Sequence, residues 1–115
     1  MGRRAIGLHP VARDAVTVLG QQVRLARARK GWTAAELARA AGVSDYVVSS
    51  VERGSPSVSI GNVLNVAAIV GVPLFGVDDP SELTVMRRRG EERLSLLPQR
   101  VVARRPIADD DGLDF

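Results

Sequence analysis

The chain is short, has no cysteine, and carries more basic than acidic residues. Its 115 residues include 16 Lys and Arg, 13 Asp and Glu, and one His, a size that allows one small domain with tails but not two independent cores. The lack of cysteine excludes disulfides and Cys-based zinc sites, and no apolar run is long enough for a signal peptide or a membrane span. We therefore expect a cytoplasmic protein with no metal and no cofactor.

Charge is unevenly distributed along the chain. Residues 1–105 hold all 16 basic residues against 9 acidic ones, a balance of +7, whereas residues 106–115 hold four acidic residues. A basic body suits a polyanionic partner, because neutralising phosphates releases their counterions. The acidic tail over residues 106–115 is predicted to be disordered.

The first predicted helix follows an amino-terminal arm. Residues 1–14 contain two Gly, one Pro and little periodicity, which predicts a flexible arm that either touches DNA through its arginines or has no role. Over residues 15–30, apolar side chains recur at helical spacing, and basic residues in the last turn suit the carboxyl end of the helix dipole. Gly31 is expected to end this helix.

Residues 32–54 predict a helix, a tight turn and a second helix in succession. Thr33 and Glu36 have the spacing of a capping box at the start of the first of these helices. Gly42 can adopt the positive φ that ends a helix, and Ser44 can cap the next one. A turn of only three or four residues between two helices is typical of a helix-turn-helix.

The second of these helices is predicted to have one apolar and one polar face. Val48 and Val51 point inward, and helical spacing places five residues on the opposite, outward face. These are Asp45, Tyr46, Ser49, Ser50 and Arg53. Short polar side chains with one aromatic and one arginine suit a helix that enters a major groove about 12 Å wide.

Two more helices are predicted to complete a domain over residues 15–77. Ser59 can cap a helix that runs to Val70, and Gly71 can end it. Residues 73–77 are expected to form a short closing helix. The domain would then consist of five helices.

Residues 78–105 predict a further helix and a strand. Asp79 can cap a helix over residues 80–97 that has Pro in its first turn, and the apolar stripe of this helix is expected to pack on the core or on a second subunit. Val101 and Val102 form the centre of a β-like segment, and an isolated strand needs a partner for its backbone groups. We therefore predict a dimerisation region in which Val101 and Val102 pair across a two-fold axis.

Over residues 15–77 the chain resembles Xre/Cro-type helix-turn-helix proteins. The matching residues are Leu19-Gly20, Arg27, Thr33, Glu36-Leu37-Ala38, Gly42-Val43-Ser44 and Glu52-Arg53-Gly54. The resemblance implies an all-α, five-helix, lambda-repressor-like DNA-binding domain, here with an added C-terminal helix and a short dimerising β-strand. The residues leave open a two-helix corner inside some other all-α domain.

The resemblance also implies roles for single residues. Arg27 and Glu52 match the positions of an internal ion pair, with simple surface exposure of both as the alternative. Phosphate contacts match Thr33, Arg53, Ser57, Asn62 and Arg27, and the candidate base readers are Ser44, Asp45, Tyr46 and Ser50. Where the family often has Gln, this chain has Ala34, which removes a common contact. Asp45 either accepts from cytosine or only favours the helix dipole.

The implied function is binding of a palindromic operator on double-stranded DNA by a homodimer, with repression as the simplest consequence. The C-terminal region is also similar in composition to HipB-type antitoxins, small Xre-like dimers that repress their own operon and hold a HipA-type kinase toxin inactive. On that reading the residues that dock on the toxin are Asp109, Asp110, Asp111 and Phe115. A solvated tail without a partner is the alternative.

Two other functions remain open at this point, a stand-alone repressor with no toxin partner and an interaction adaptor that does not bind DNA. An enzyme is not expected. The chain has no Cys, its one His lies near the amino terminus, and neither a Gly-rich phosphate loop nor a carboxylate pair in a cleft is recognisable.

Overall fold

Four helices joined by short connections form the first of two units into which the chain divides after Asp78. The computed structural model describes residues 7–100. The helices of the first unit are α1 (Pro10–Lys30), α2 (Ala34–Ala41), α3 (Asp45–Glu52) and α4 (Ile60–Val70), and the second unit contains α5 (Pro80–Ser95). Within residues 7–100 the secondary structure is helical with no sheet, which confirms the all-α prediction.

The first helix begins earlier than the sequence predicted. It starts at Pro10 and not at Ala15, because proline suits the first position of a helix, where its missing N–H would have no partner. The Nδ1 atom of His9 accepts a hydrogen bond from the backbone N–H of Val11 at 3.1 Å. The predicted arm is therefore wrong for residues 10–14, which are helical, and residues 1–6 lie outside the described residues.

The predicted closing helix over residues 73–77 is wrong. Phe75 and Gly76 both have positive φ, 55° and 75°, which a right-handed helix does not allow. The N–H of Val77 donates to the carbonyl of Leu74 at 3.2 Å, and these two residues form an isolated antiparallel bridge. Positive φ at both central positions is the pattern of a type I′ turn, so this segment is a tight turn.

The hydrophobic core lies where α1, α2, α3 and α4 meet. Its buried residues are Val23, Leu37, Ala38, Ala41, Val48, Val51, Val66, Ala67, Val70 and Val72. Most are valine and alanine, whose small side chains let helix axes approach closely. The short α3 packs against α1, α2 and α4, so three neighbours fix its orientation.

The second unit is described by α5, which starts at its predicted position. The Asp79 side chain accepts a hydrogen bond from the N–H of Ser81 at 2.9 Å, and Pro80 occupies the first turn. The helix is continuous through Gly90 and ends at Ser95, two residues before the predicted end. Val101 and Val102 of the predicted strand, and the tail residues Asp109, Asp110, Asp111 and Phe115, lie outside the described residues.

Candidate nucleic-acid interface

The start of α2 is fixed by a capping box. The Thr33 hydroxyl accepts a hydrogen bond from the N–H of Glu36 at 3.0 Å, and the Glu36 carboxylate accepts one from the N–H of Thr33 at 2.7 Å. Each side chain thus satisfies a backbone donor that the helix leaves without a partner. The Thr33 side chain is exposed at the amino end of the helix.

A three-residue turn over residues 42–44 joins α2 to α3. Gly42 has φ 70°, a left-handed conformation that glycine adopts without strain. The Ser44 hydroxyl then accepts a hydrogen bond from the N–H of Val47 at 3.2 Å and starts α3. Leu37 and Ala38 of α2 are buried with Val48 of α3 in the core. The predicted helix, turn and helix are therefore confirmed at Thr33, Gly42 and Ser44.

One side of α3 is exposed and polar. Asp45, Ser49 and Arg53 are exposed, as is the capping Ser44, and Tyr46 retains 72% of its surface. Asp45, Tyr46, Ser49 and Arg53 have the spacing i, i+1, i+4 and i+8, which places them on one face at the helix and its end. The face is available for contact with a macromolecule.

Ser50 was predicted to lie on this face, and that prediction is wrong. Only 2% of its surface is exposed. The buried side of α3 is broad because three helices cover it, and it takes in Val48, Ser50 and Val51. The Ser50 hydroxyl accepts a hydrogen bond from the Arg53 Nη2 at 3.3 Å, so it holds a neighbouring side chain and does not itself face outward.

Arg53 extends back over the outward face of α3. Its Nη1 donates to the Ser49 hydroxyl at 2.8 Å, and its guanidinium carbon lies 6.0 Å from the centre of the Tyr46 ring. Cations within about 6 Å of a ring centre are attracted by its π electrons. The guanidinium is therefore held by contacts with residues three, four and seven positions earlier in the chain.

The predicted ion pair between Arg27 and Glu52 is present and two-pronged. The Arg27 Nε donates to one Glu52 carboxylate oxygen at 2.7 Å and Nη2 donates to the other at 2.8 Å. Nη1 donates to the carbonyl of Trp32 at 3.0 Å. One guanidinium from α1 thus holds both the end of α3 and the residue before the cap of α2, an arrangement that fixes the two helices relative to each other.

Both partners of this ion pair are largely withdrawn from water. The side chains of Arg27 and Glu52 are 18% and 9% exposed. Hydrogen bonding to Glu52 raises the pKa of Arg27 above its ordinary value, burial lowers it to a smaller extent, and the charge of Glu52 raises it further. Because the folded pKa is the higher one, the stabilisation is complete below the ordinary arginine pKa and is lost only as pH rises through the raised value.

The backbone of α3 also comes very close to α1. A Cβ atom at Gly20 would lie far inside van der Waals distance of the carbonyl oxygen of Val51 and 3.0 Å from that of Glu52. Only glycine leaves room for this approach. Helix α1 therefore contacts the end of α3 in two ways, through the backbone at Gly20 and through the ion pair of Arg27 with Glu52.

The predicted phosphate-contacting residues lie on separate elements. Thr33 caps α2, Ser57 lies exposed in the connection after α3, and Asn62 is half-buried in the first turn of α4. The Ser57 hydroxyl lies 3.1 Å from the hydroxyl of Ser55. Their assignment to phosphates, and that of Arg27 and Arg53, stays a prediction.

Two residues that contribute to this site, Ser49 and Asn65, were not assigned a function from the sequence. Ser49 was placed on the outward face but not among the base readers, although its spacing from Asp45 and Tyr46 puts it beside them. Asn65 donates from Nδ2 to the carbonyl of Ala41 at 2.8 Å and so satisfies a terminal carbonyl of α2. No local pattern predicts that bond, since its partners are 24 residues apart.

Residues 7–100 contain neither a metal-binding cluster nor a membrane-spanning helix. No group of three or more His, Cys, Asp or Glu residues there is arranged to hold a metal ion. In the same part of the chain no helix combines the length and apolar character that crossing a membrane would need.

The chain is similar to a known protein family and to a known protein. The profile of a family described as "Helix-turn-helix domain" matches residues 18–78, more than half of the chain. A protein described as a "Neisseria hypothetical transcription factor", from Neisseria meningitidis serogroup B, is 38% identical over 66 residues, which are 57% of this chain. The match spans 62% of that relative's length, and thus less than two thirds of it.

Proposed function

We propose a function that follows from the family of the chain. The chain belongs to the helix-turn-helix domain family, whose profile matches residues 18–78. The protein is proposed to be a sequence-specific DNA-binding regulator of the Xre type that represses transcription. The observation that carries the proposal is the outward face of α3, exposed and polar while its opposite side is held by three helices. A relative described as a transcription factor also supports it.

In the proposed complex α3 enters the major groove. Ser44, Asp45, Tyr46 and Ser49 are available to base edges, because they are exposed and lie at or near the amino end of α3. The amino end of α2 at Thr33 approaches one phosphate backbone, where the helix dipole favours a negative charge. Ser57 and Asn62 approach the other strand, as their positions in the family imply.

Repression is the simplest regulatory consequence, because a protein that covers a promoter needs no additional surface to block transcription. The competing proposal is an adaptor that has lost DNA binding. It is favoured by Ala34, which lacks the polar side chain common at that position, and by Asp45, whose carboxylate repels phosphates. The exposed Tyr46 and the cap and packing of α3 against three helices favour the regulator.

A reporter placed behind the DNA upstream of the protein's own gene tests repression. Wild-type protein is expected to lower expression, and Tyr46→Ala is expected to lose most of this effect, because a side chain with 72% exposure affects contacts more than stability. Leu25→Ala is the control, since Leu25 is 57% exposed on α1 and has no proposed contact with DNA. Equal repression by wild type and Tyr46→Ala would count against α3 as the reader.

The proposed regulator is a homodimer, because one copy makes too few contacts for high specificity. Helix α5 offers an apolar stripe for this purpose, with Leu83, Met86 and Leu94 at helical spacing and Leu97 just beyond its end, and no residue of α5 is buried in this structure. Met86, Leu94 and Leu97 are 44%, 66% and 61% exposed. Val101 and Val102 are proposed to add a strand across the two-fold axis.

Sedimentation velocity at several protein concentrations tests the dimer. The double variant Met86→Glu with Leu94→Glu is expected to weaken dimerisation at least about tenfold, because each charge would be buried without a partner. Val85→Glu is the control, since Val85 lies on another side of α5 and is 41% exposed. A wild-type chain that stays monomeric would contradict the proposed dimer. A chain truncated at Pro98 that stays dimeric would contradict only the proposed role of Val101 and Val102 in dimerisation.

A narrower proposal is that the protein is the antitoxin of a HipA-type kinase toxin and regulates its own operon. It rests on the composition of the C-terminal region, where the tail residues Asp109, Asp110, Asp111 and Phe115 are proposed to dock on a basic toxin surface. Co-expression with a kinase-like protein from a neighbouring gene tests it. Co-purification that is lost when residues 106–115 are deleted is expected, and its absence leaves a stand-alone repressor. No catalytic activity is proposed.

A further inference from the structure

Arg53 is the most constrained charged side chain on the outward face of α3. It follows the last residue of the helix, yet its guanidinium is not directed away from the helix end. Nη1 donates to the Ser49 hydroxyl at 2.8 Å and Nη2 donates to the Ser50 hydroxyl at 3.3 Å. These bonds direct the side chain back toward the middle of α3 before any DNA is bound.

The Tyr46 ring lies close to the same guanidinium. The Arg53 guanidinium carbon is 6.0 Å from the ring centre, within the range at which a cation is attracted to an aromatic face. Tyr46 lies in the first turn of α3 and is 72% exposed. Arg53 and Tyr46 therefore form one continuous surface along the face that is proposed to enter the groove.

We propose that Arg53 reads a guanine in the major groove, and not a phosphate as its position in the family implies. The inference rests on the proposed function, because it assumes that α3 enters the groove. A phosphate contact would direct the guanidinium outward to the DNA backbone, whereas here it lies across the helix surface. Guanine presents two acceptors, N7 and O6, to the major groove, and they match the paired donors of arginine.

The hydrogen bonds in the free protein leave enough donors for this contact. A guanidinium has five N–H groups, and the two serines use one on each Nη atom. The Nε–H and one N–H on each Nη remain. An arginine already held in place loses less side-chain entropy when it binds.

Ser49 acts as a positioning residue in this proposal. Its hydroxyl makes the shorter of the two bonds to Arg53 and is exposed beside Tyr46. Ser50 contributes from the buried side. The two serines together fix the plane of the guanidinium, so a loss at Ser49 is expected to lower discrimination between bases more than total affinity.

The test compares Arg53→Lys with wild type on duplexes that the wild-type protein enriches from a pool with a randomised core. Lysine keeps the positive charge but lacks the flat pair of donors. The variant is expected to lose preference for guanine at one position of each half-site by about 5- to 150-fold. The salt dependence of its affinity is expected to match wild type, because the number of positive charges near the phosphates is unchanged. Arg39→Lys, at an exposed arginine on α2, is the matched control.

Replacing that guanine by 7-deazaguanine removes the N7 acceptor and provides a reciprocal test. Wild type is expected to bind the altered duplex more weakly, and Arg53→Lys is expected to be less sensitive to the alteration. Ser49→Ala is expected to reduce the guanine preference, and Ser49→Thr, which keeps the hydroxyl, is expected to restore it. A purely structural role for Ser49 would lower binding to all duplexes alike.

The outcomes separate the inference from the function on which it rests. Enrichment of a site with a guanine whose preference disappears in Arg53→Lys supports the inference. Enrichment of a site whose base preferences are the same in wild type and Arg53→Lys overturns the guanine contact of Arg53. The proposed DNA-binding function would still stand. A pool from which wild type enriches no sequence contradicts the proposed function, and the inference fails with it.

Discussion

Gly20→Ala is expected to destabilise the first unit by about 3 kcal/mol, the upper part of the range for overpacking a close contact. The added Cβ would collide with the carbonyl oxygen of Val51 and approach that of Glu52 at 3.0 Å. Both neighbours are backbone atoms near the end of α3, so a rotamer change cannot relieve the clash. Either α3 moves away from α1 or the helices separate.

Urea denaturation followed by circular dichroism measures this effect. Gly61→Ala is the matched control, because Gly61 lies in α4 and its added Cβ would meet no atom within 4 Å. Alanine is the better helix former, so the control is expected to be neutral or stabilised by up to about 1 kcal/mol. Equal stability of Gly20→Ala and Gly61→Ala would mean that α1 and α3 do not approach as closely as described.

Glu52→Ala is expected to have the second large effect, a loss of about 3 kcal/mol of stability. Removing one partner of a buried ion pair leaves the other charge unsatisfied, which typically costs about 3 to 5 kcal/mol. We expect a loss at the lower end of this range, because the Arg27 side chain is 18% exposed to water and keeps its hydrogen bond to the Trp32 carbonyl. The variant is also expected to bind DNA more weakly, since α3 loses its side-chain ion pair with α1.

A control pair and a double variant identify the cause of this loss. Glu91→Ala removes the partner of Arg87 in an ion pair whose side chains are 60% and 61% exposed, and it is expected to change stability by at most about 0.5 kcal/mol. Glu52→Ala combined with Arg27→Met is expected to be less destabilised than the sum of the single variants. Additive effects would contradict a direct interaction between the two charges.

The sequence predicted best those features that neighbouring residues determine. The capping box of Thr33 and Glu36, the left-handed Gly42 and the capping Ser44 are each decided within about four residues. The two larger errors in the helix assignments also have local causes. Pro10 was interpreted as part of a flexible arm although it can start a helix, and residues 73–77 were assigned a helix from the family pattern although Phe75 and Gly76 form a turn.

Features that depend on packing were harder to predict. Periodicity placed Ser50 outward, but the width of the buried side of α3 depends on how many helices cover it. The closeness of Gly20 to the end of α3 joins residues more than 30 positions apart, and no local pattern encodes it. The Arg27–Glu52 ion pair was predicted from family resemblance, because their spacing alone does not indicate contact.

Titration of the purified protein against its own upstream DNA measures whether α3 binds DNA in a sequence-dependent way. Fluorescence anisotropy at two salt concentrations, with a scrambled duplex as control, gives affinity, selectivity and salt dependence together. We expect tight binding to the upstream duplex that weakens as salt rises, and much weaker binding to the scrambled duplex. Equal binding to both duplexes, or none to either, would contradict it and favour the adaptor.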